Sequence, residues 1–135
     1  IFVTHDANDA LSLSTRMGIL HHGNLIQLGT PEVIYHSPAD AYVAELTGEI
    51  NLLGADFFKN DVHSRLPDGR IAVRPEKLIL SHSPTIYGVE SVVKRVVFEG
   101  SHYKISLQAG PQALKVYHHE VVPLGKSVFV DFRTF

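Results

Sequence analysis

Ile1-Phe2-Val3-Thr4-His5-Asp6 opens the chain as a short apolar run that ends on a histidine. β-branched and aromatic residues followed by a polar break read as a buried strand that delivers a side chain at its C-terminal edge. Open α/β sheets hold their ligands at that edge. No Met stands before the run and no earlier element is there to pair with it. The chain is therefore expected to be the back part of a longer protein.

Outward from that strand, residues 1–48 alternate short helices and strands. Asp6 or Asn8 can cap a helix that carries Ala10, Leu11 and Leu13. Met17 to Leu20 reads as a strand, His22-Gly23-Asn24 as a turn, and Leu25 to Leu28 as the returning hairpin partner. Gly29-Thr30-Pro31-Glu32 is a helix start, with Thr30 at the cap, Pro31 at the first helical position and Glu32 at the positive end of the dipole. Ser37-Pro38-Ala39-Asp40 repeats the device, Tyr42, Val43 and Leu46 form an apolar face, and Gly48 is a stop.

From Glu49 the pattern becomes all-β. Pro67-Asp68-Gly69-Arg70 is a turn, followed by strands at Ile71–Val73 and Leu78–Leu80. Tyr103, Ile105 and Leu107 alternate with polar neighbours, as do Leu114 and Val116, and as Val128, Val130 and Phe132 alternate with Phe129, Asp131 and Arg133. Between Val89 and Glu99 the valines at 92, 93, 96 and 97 break the alternation twice, which predicts a bulged or sharply coiled strand. Strands at this spacing suggest a small closed barrel of the oligonucleotide/oligosaccharide-binding type.

Composition narrows the function classes. The 135 residues are 44% hydrophobic, the proportion of a chain with a real core. The net charge of −2 gives no reason to expect a nucleic-acid partner. There is no Cys, hence no disulfide framework and no thiolate chemistry, which fits a cytoplasmic address. No apolar stretch approaches the roughly 20 residues of a membrane-spanning helix. Lys94, Arg95, Lys104 and Lys115 read as a solvated cationic face balanced by Glu90, Glu99, Glu120 and Asp131. Of the nine His, the adjacent pairs His21-His22 and His118-His119 point to opposite sides of a strand, so no metal site is expected.

A family resemblance rests on the following residues. Thr4-His5-Asp6, Asp9-Ala10, Gly23 through Glu32, Tyr35, Ser37-Pro38, Tyr42-Val43-Ala44 and Ile50-Asn51-Leu52-Leu53 follow one order and spacing. Over residues 1–53 the chain resembles the tail of the ATP-binding subunit of ABC-type importers. Val73-Arg74-Pro75-Glu76, Phe98-Glu99-Gly100 and Gly125-Lys126-Ser127-Val128 resemble the small TOBE (MOP-like) barrel appended to such subunits. The expected organisation is an α/β remnant of the ABC ATPase at 1–48, followed by an all-β OB-like barrel at 49–135. Asn8 and Thr15 stand where the family commonly has acidic residues.

The resemblance implies roles. His5 would be the switch histidine, bridging the γ-phosphate and the attacking water. Thr4 and Asp6 would support it, although Asp6 reads equally well as a helix cap. Gln27 and Gly29 match the family pattern, but turn geometry and packing account for them. Arg74 and Glu76 would face a barrel ligand or an interface, or else Pro75 ends a strand and the two ions pair. No G-x-x-x-x-G-K-[ST] loop is present, and no apolar strand ending in Asp-Glu precedes His5. ATP and Mg²⁺ are thus expected in the parent protein and none on this segment, which alone should be inactive. The implied partners are a second copy in a homodimer, membrane-spanning permease subunits and a small regulatory ligand on the barrel. The implied location is the cytoplasmic face of a prokaryotic cell membrane, held there by a partner. The alternative is a free-standing oligomeric barrel that binds a small anion or other small ligand. Residues 1–3, 17–20 and 25–28 would expose sticky strand edges, disordered, exchanged between copies or paired across a dimer.

Overall fold

The computed structural model describes residues 1–59 and 65–132. It divides into two units, one of Ile1–Ile50 with Leu66–Asp68, the other of the described residues in Asn51–Arg65 and Gly69–Phe135.

In the first unit each helix begins where a side chain can satisfy its free amides. Helix α1 (Ala7–Leu13) is capped by Asp6, α2 (Pro31–His36) by Thr30 with Pro31 in its first turn, and α3 (Ala41–Leu46) by Asp40. The Ser37–Asp40 stretch thus divides its labour: Ser37 closes α2 and Asp40 opens α3. Strands β1 (Met17–His21) and β2 (Asn24–Gly29) form an antiparallel hairpin. His22 (φ 52°) and Gly23 (φ 79°) make its two-residue turn, both in the left-handed region that primed hairpin turns require. Met17, Ile19, Ile34 and Val43 form the core of this unit, with Ala10, Leu11, Ile26 and Tyr42 packed on it.

The opening strand is not there. Ile1–Val3 has no regular structure and its side chains stand exposed. A strand needs a neighbour to receive its backbone groups, and no strand among the described residues pairs with these three. Leu20, Leu25 and Leu28 of the hairpin are exposed as well.

The second unit is built of β-structure. Strands β3 (Asn51–Leu53) and β4 (Ile71–Val73) pair antiparallel. A 3₁₀ turn at Pro75–Lys77 leads into β5 (Leu78–Ser81), β6 (Val89–Phe98), β7 (Tyr103–Ala109), β8 (Gln112–His118) and β9 (Ser127–Phe132). These five form one antiparallel sheet in the order β5-β9-β6-β7-β8. Arg133, expected to continue the last alternation, lies outside the described residues. The alternating apolar positions Ile105, Leu107, Leu114, Val116, Val128 and Val130 all face one core, joined by Leu53, Ile71, Leu78 and Val122. Each such side chain fully buried contributes about 1.5–3 kcal/mol. The bulge in β6 is present: Val93 pairs with Leu107 and Arg95 with Ser106, leaving Lys94 as the extra residue.

The expected closed OB-like barrel is corrected here. The sheet ends on β5 at one side and β8 at the other, and no ladder joins them among the described residues. The free edge of β8 is occupied differently. The Asn51 carboxamide bonds the carbonyl (2.8 Å) and the amide (2.7 Å) of Lys115, and the Gly54 N–H donates to the Gln112 side chain at 2.8 Å. With β8 covered in this way, β5, only four residues long, ends beside it without pairing. Side chains span that gap, the His82 and His118 rings lying 6.4 Å apart. No helix among the described residues is long and apolar enough to cross a membrane.

Candidate functional site

His5 sits on the turn that enters α1. The Thr4 hydroxyl accepts the Asp6 N–H at 3.0 Å, which folds the backbone around His5. The Asp6 carboxylate then accepts from the amides of Asn8 (2.9 Å) and Asp9 (3.4 Å). Thr4 and Asp6 are therefore joined to one another and to the helix, and the His5 imidazole is left exposed. An open cleft of about 540 Å³ lies there, lined by His5 to Asn8 on one side and Glu45 to Gly48 on the other.

What this cleft can do follows from its donors. The first amides of a helix are where a phosphate would settle, but here the Asp6 carboxylate already accepts two of them and adds a negative charge. The cleft can present an imidazole to a phosphate held elsewhere; it does not itself form a phosphate cradle. Among the described residues no three His, Asp or Glu side chains converge as a metal site would require.

Of the other family-pattern residues, Gln27 has structural work to do, whereas the expectation that turn geometry and packing account for Gly29 is corrected. The Gln27 amide donates to the Ser37 carbonyl at 3.0 Å and its oxygen accepts the Ala39 N–H at 2.8 Å, so it ties β2 to the link between α2 and α3. Packing does not demand glycine at 29, since a Cβ there would meet Val33 at an ordinary 3.8 Å. Arg74 is buried at the end of β4 and Glu76 half-buried in the following turn, both in the second unit. Phe98-Glu99-Gly100 forms the β6–β7 turn. Gly100 takes φ 90°, and the Glu99 carboxylate lies 3.1 Å from His102 and 3.4 Å from Lys104. The His102 hydrogen bond, aided by Lys104, holds that carboxyl below its usual range. The His102 ring stacks on Tyr117 at 4.0 Å.

No family model matches the chain. Parts of curated proteins do. It is 30% identical to the spermidine/putrescine import ATP-binding protein PotA of Onion yellows phytoplasma (strain OY-M), over 98% of this chain and 35% of that protein. Against the Fe(3+) ions import ATP-binding protein FbpC of Escherichia coli O157:H7 the identity is 28%, over 97% of this chain and 45% of the relative. PotA 1 of Pseudomonas aeruginosa PAO1 is 32% identical over 82% of this chain and 36% of its own length. The chain matches the C-terminal part of ABC-importer ATP-binding proteins.

As a match to such an import ATP-binding protein, the chain spans about a third of the first relative's length. The shared region takes in both units, because the alignment covers 98% of this chain. Two groups named in the sequence take on placements in the structure that sequence reasoning did not foresee. One is Asn51, whose carboxamide completes the β8 edge; as an Asn just before two leucines it carried no signal of burial. The other is Lys94 with Arg95, read as members of a solvated face but placed side by side on one groove at the bulge. The doubled break in alternation was the available clue.

Proposed function

We propose that this chain is the C-terminal segment of the ATP-hydrolysing subunit that energises a binding-protein-dependent ABC importer. The observation that carries the reading is the near-complete alignment of the chain with import ATP-binding proteins, with His5 exposed on a turn fixed by Thr4 and Asp6. In that reading ATP and Mg²⁺ are held by the rest of the subunit, and His5 contacts the γ-phosphate and the attacking water. An imidazole suits the task because it can donate to a phosphate oxygen and respond when that charge departs on hydrolysis. Thr4 and Asp6 are positioning residues that fix the backbone on which His5 rides.

The subunit would act as a homodimer beneath two membrane-spanning permease subunits, on the cytoplasmic face of the membrane. The second unit would serve regulation and dimer contact, with Glu76 the more accessible of the two residues singled out there and Arg74 shaping the turn from within. Polyamine and ferric ion are the cargoes named for the relatives; the permeases would choose the cargo here. The test is ATP turnover by this chain beside that of a longer polypeptide that contains it. The reading expects turnover only in the longer form. Appreciable hydrolysis by these 135 residues alone, or a longer chain with no phosphate loop ahead of His5, contradicts it.

A further inference from the structure

We propose that the groove between the β6 bulge and the loop before β9 binds a small organic carboxylate with a short apolar tail. Consecutive strand residues normally point to opposite faces. At the bulge this rule is suspended: Lys94 and Arg95 are both exposed, and both line one groove of about 330 Å³. Among the described residues neither makes an ion pair. The opposite wall is apolar, with Val121 and Leu124 63% and 69% exposed beside Pro123.

The groove is held open by its own framework. Val122 is buried in the sheet's core and anchors the loop. The Gly125 N–H donates to the Val93 carbonyl at 2.8 Å, and the Val93 N–H to the Lys126 carbonyl at 3.0 Å, so the loop is pinned to β6 next to the bulge. Gly125 takes φ 79°, where a side chain would be strained. Two cations with no ion-pair partner among the described residues and an exposed apolar wall thus line one gap.

Charge complementarity and size select the occupant. The Arg95 fork matches a carboxylate and Lys94 adds a point charge. A hydrocarbon tail would cover Val121 and Leu124. The volume falls at the small-molecule end of binding cavities rather than on the scale of a protein interface. This inference does not depend on the ATPase reading, since it uses only the second unit.

The test is an amide NMR titration of the 135-residue chain with hexanoate, acetate and hexanol as probes. Hexanoate should give saturable shifts confined to residues 93–96 and 121–126. Acetate and hexanol should each bind about tenfold more weakly, and K94Q/R95Q should weaken hexanoate by about tenfold or more. Unchanged amide positions away from the groove would show that the variant is folded. L124E, which places a carboxylate beside the two cations, should abolish binding by a separate route. Non-saturable or dispersed shifts overturn the proposal. So does equal binding of acetate, equal binding of hexanol, or full affinity in either variant.

Discussion

The carboxamide of Asn51 bonds both backbone groups of Lys115, 64 residues further along the chain, at 2.8 and 2.7 Å. A single side chain thereby does for β8 what a sixth strand would do, and it is only 4% exposed while doing so. Replacing it with Ala would remove both of these hydrogen bonds from a part-buried edge, each bond contributing about 0.5–1.5 kcal/mol, and would leave a cavity where the side chain was. N51A should therefore lower urea-unfolding stability by about 2 kcal/mol or more. N51D should be worse, because it removes the donor and buries a charge. A loss below about 0.5 kcal/mol, the range of ordinary surface substitutions, would show that the pair is incidental.

His118 links stability to acidity. Burial disfavours its charged form and holds its pKa below the ordinary value. Glu120 pulls the other way, while the neighbouring cationic forms of His82 and His119 add to the depression. The unfolded chain takes up a proton near pH 6.5, whereas the folded chain resists it until the pH is lower. Between those two points the unfolded state binds more protons, so stability rises with pH. Thermal melts should show stability present above about pH 6.5 and falling as the solution is acidified below it. In H118Q that slope should be reduced. A slope unchanged by the substitution would place the proton uptake elsewhere.

Gln27 predicts a local effect. Q27A removes both bonds to the 37–39 link, from the Ser37 carbonyl and the Ala39 amide. Exchange of the Ala39 amide should accelerate about fivefold to tenfold, as loss of a typical hydrogen bond of about 1 kcal/mol implies. Amides of the second unit, which Gln27 does not touch, should keep their rates.

Much of this was legible locally. The caps at Asp6 and Thr30 were readable because capping chemistry acts over three residues, and the β6 bulge because Val92, Val93, Val96 and Val97 cannot all face one side of a flat strand. Ser37-Pro38-Ala39-Asp40 was harder, since two residues competent to cap stand three positions apart and only the end of α2 decides between them. What failed was non-local. Ile1–Val3 has strand-forming residues but no partner strand among the described residues. Barrel closure depends on whether β5 meets β8, and that edge is taken by the side chain of Asn51. For the candidate site, the choice of His5 came from resemblance, whereas the Thr4–Asp6 hydrogen bond that shapes its turn is visible only in the folded chain.

The central claim is that His5 serves a phosphate held by the remainder of the subunit. The most direct measurement is ATP turnover beside ATP binding in the longer protein, comparing the native sequence with His5→Ala. Removing one positioned donor to a developing charge typically costs about a hundredfold or more in rate. The expected result is a loss of that size in turnover with nucleotide affinity kept within about threefold, since binding does not rest on the imidazole. Native turnover in the variant would contradict the account.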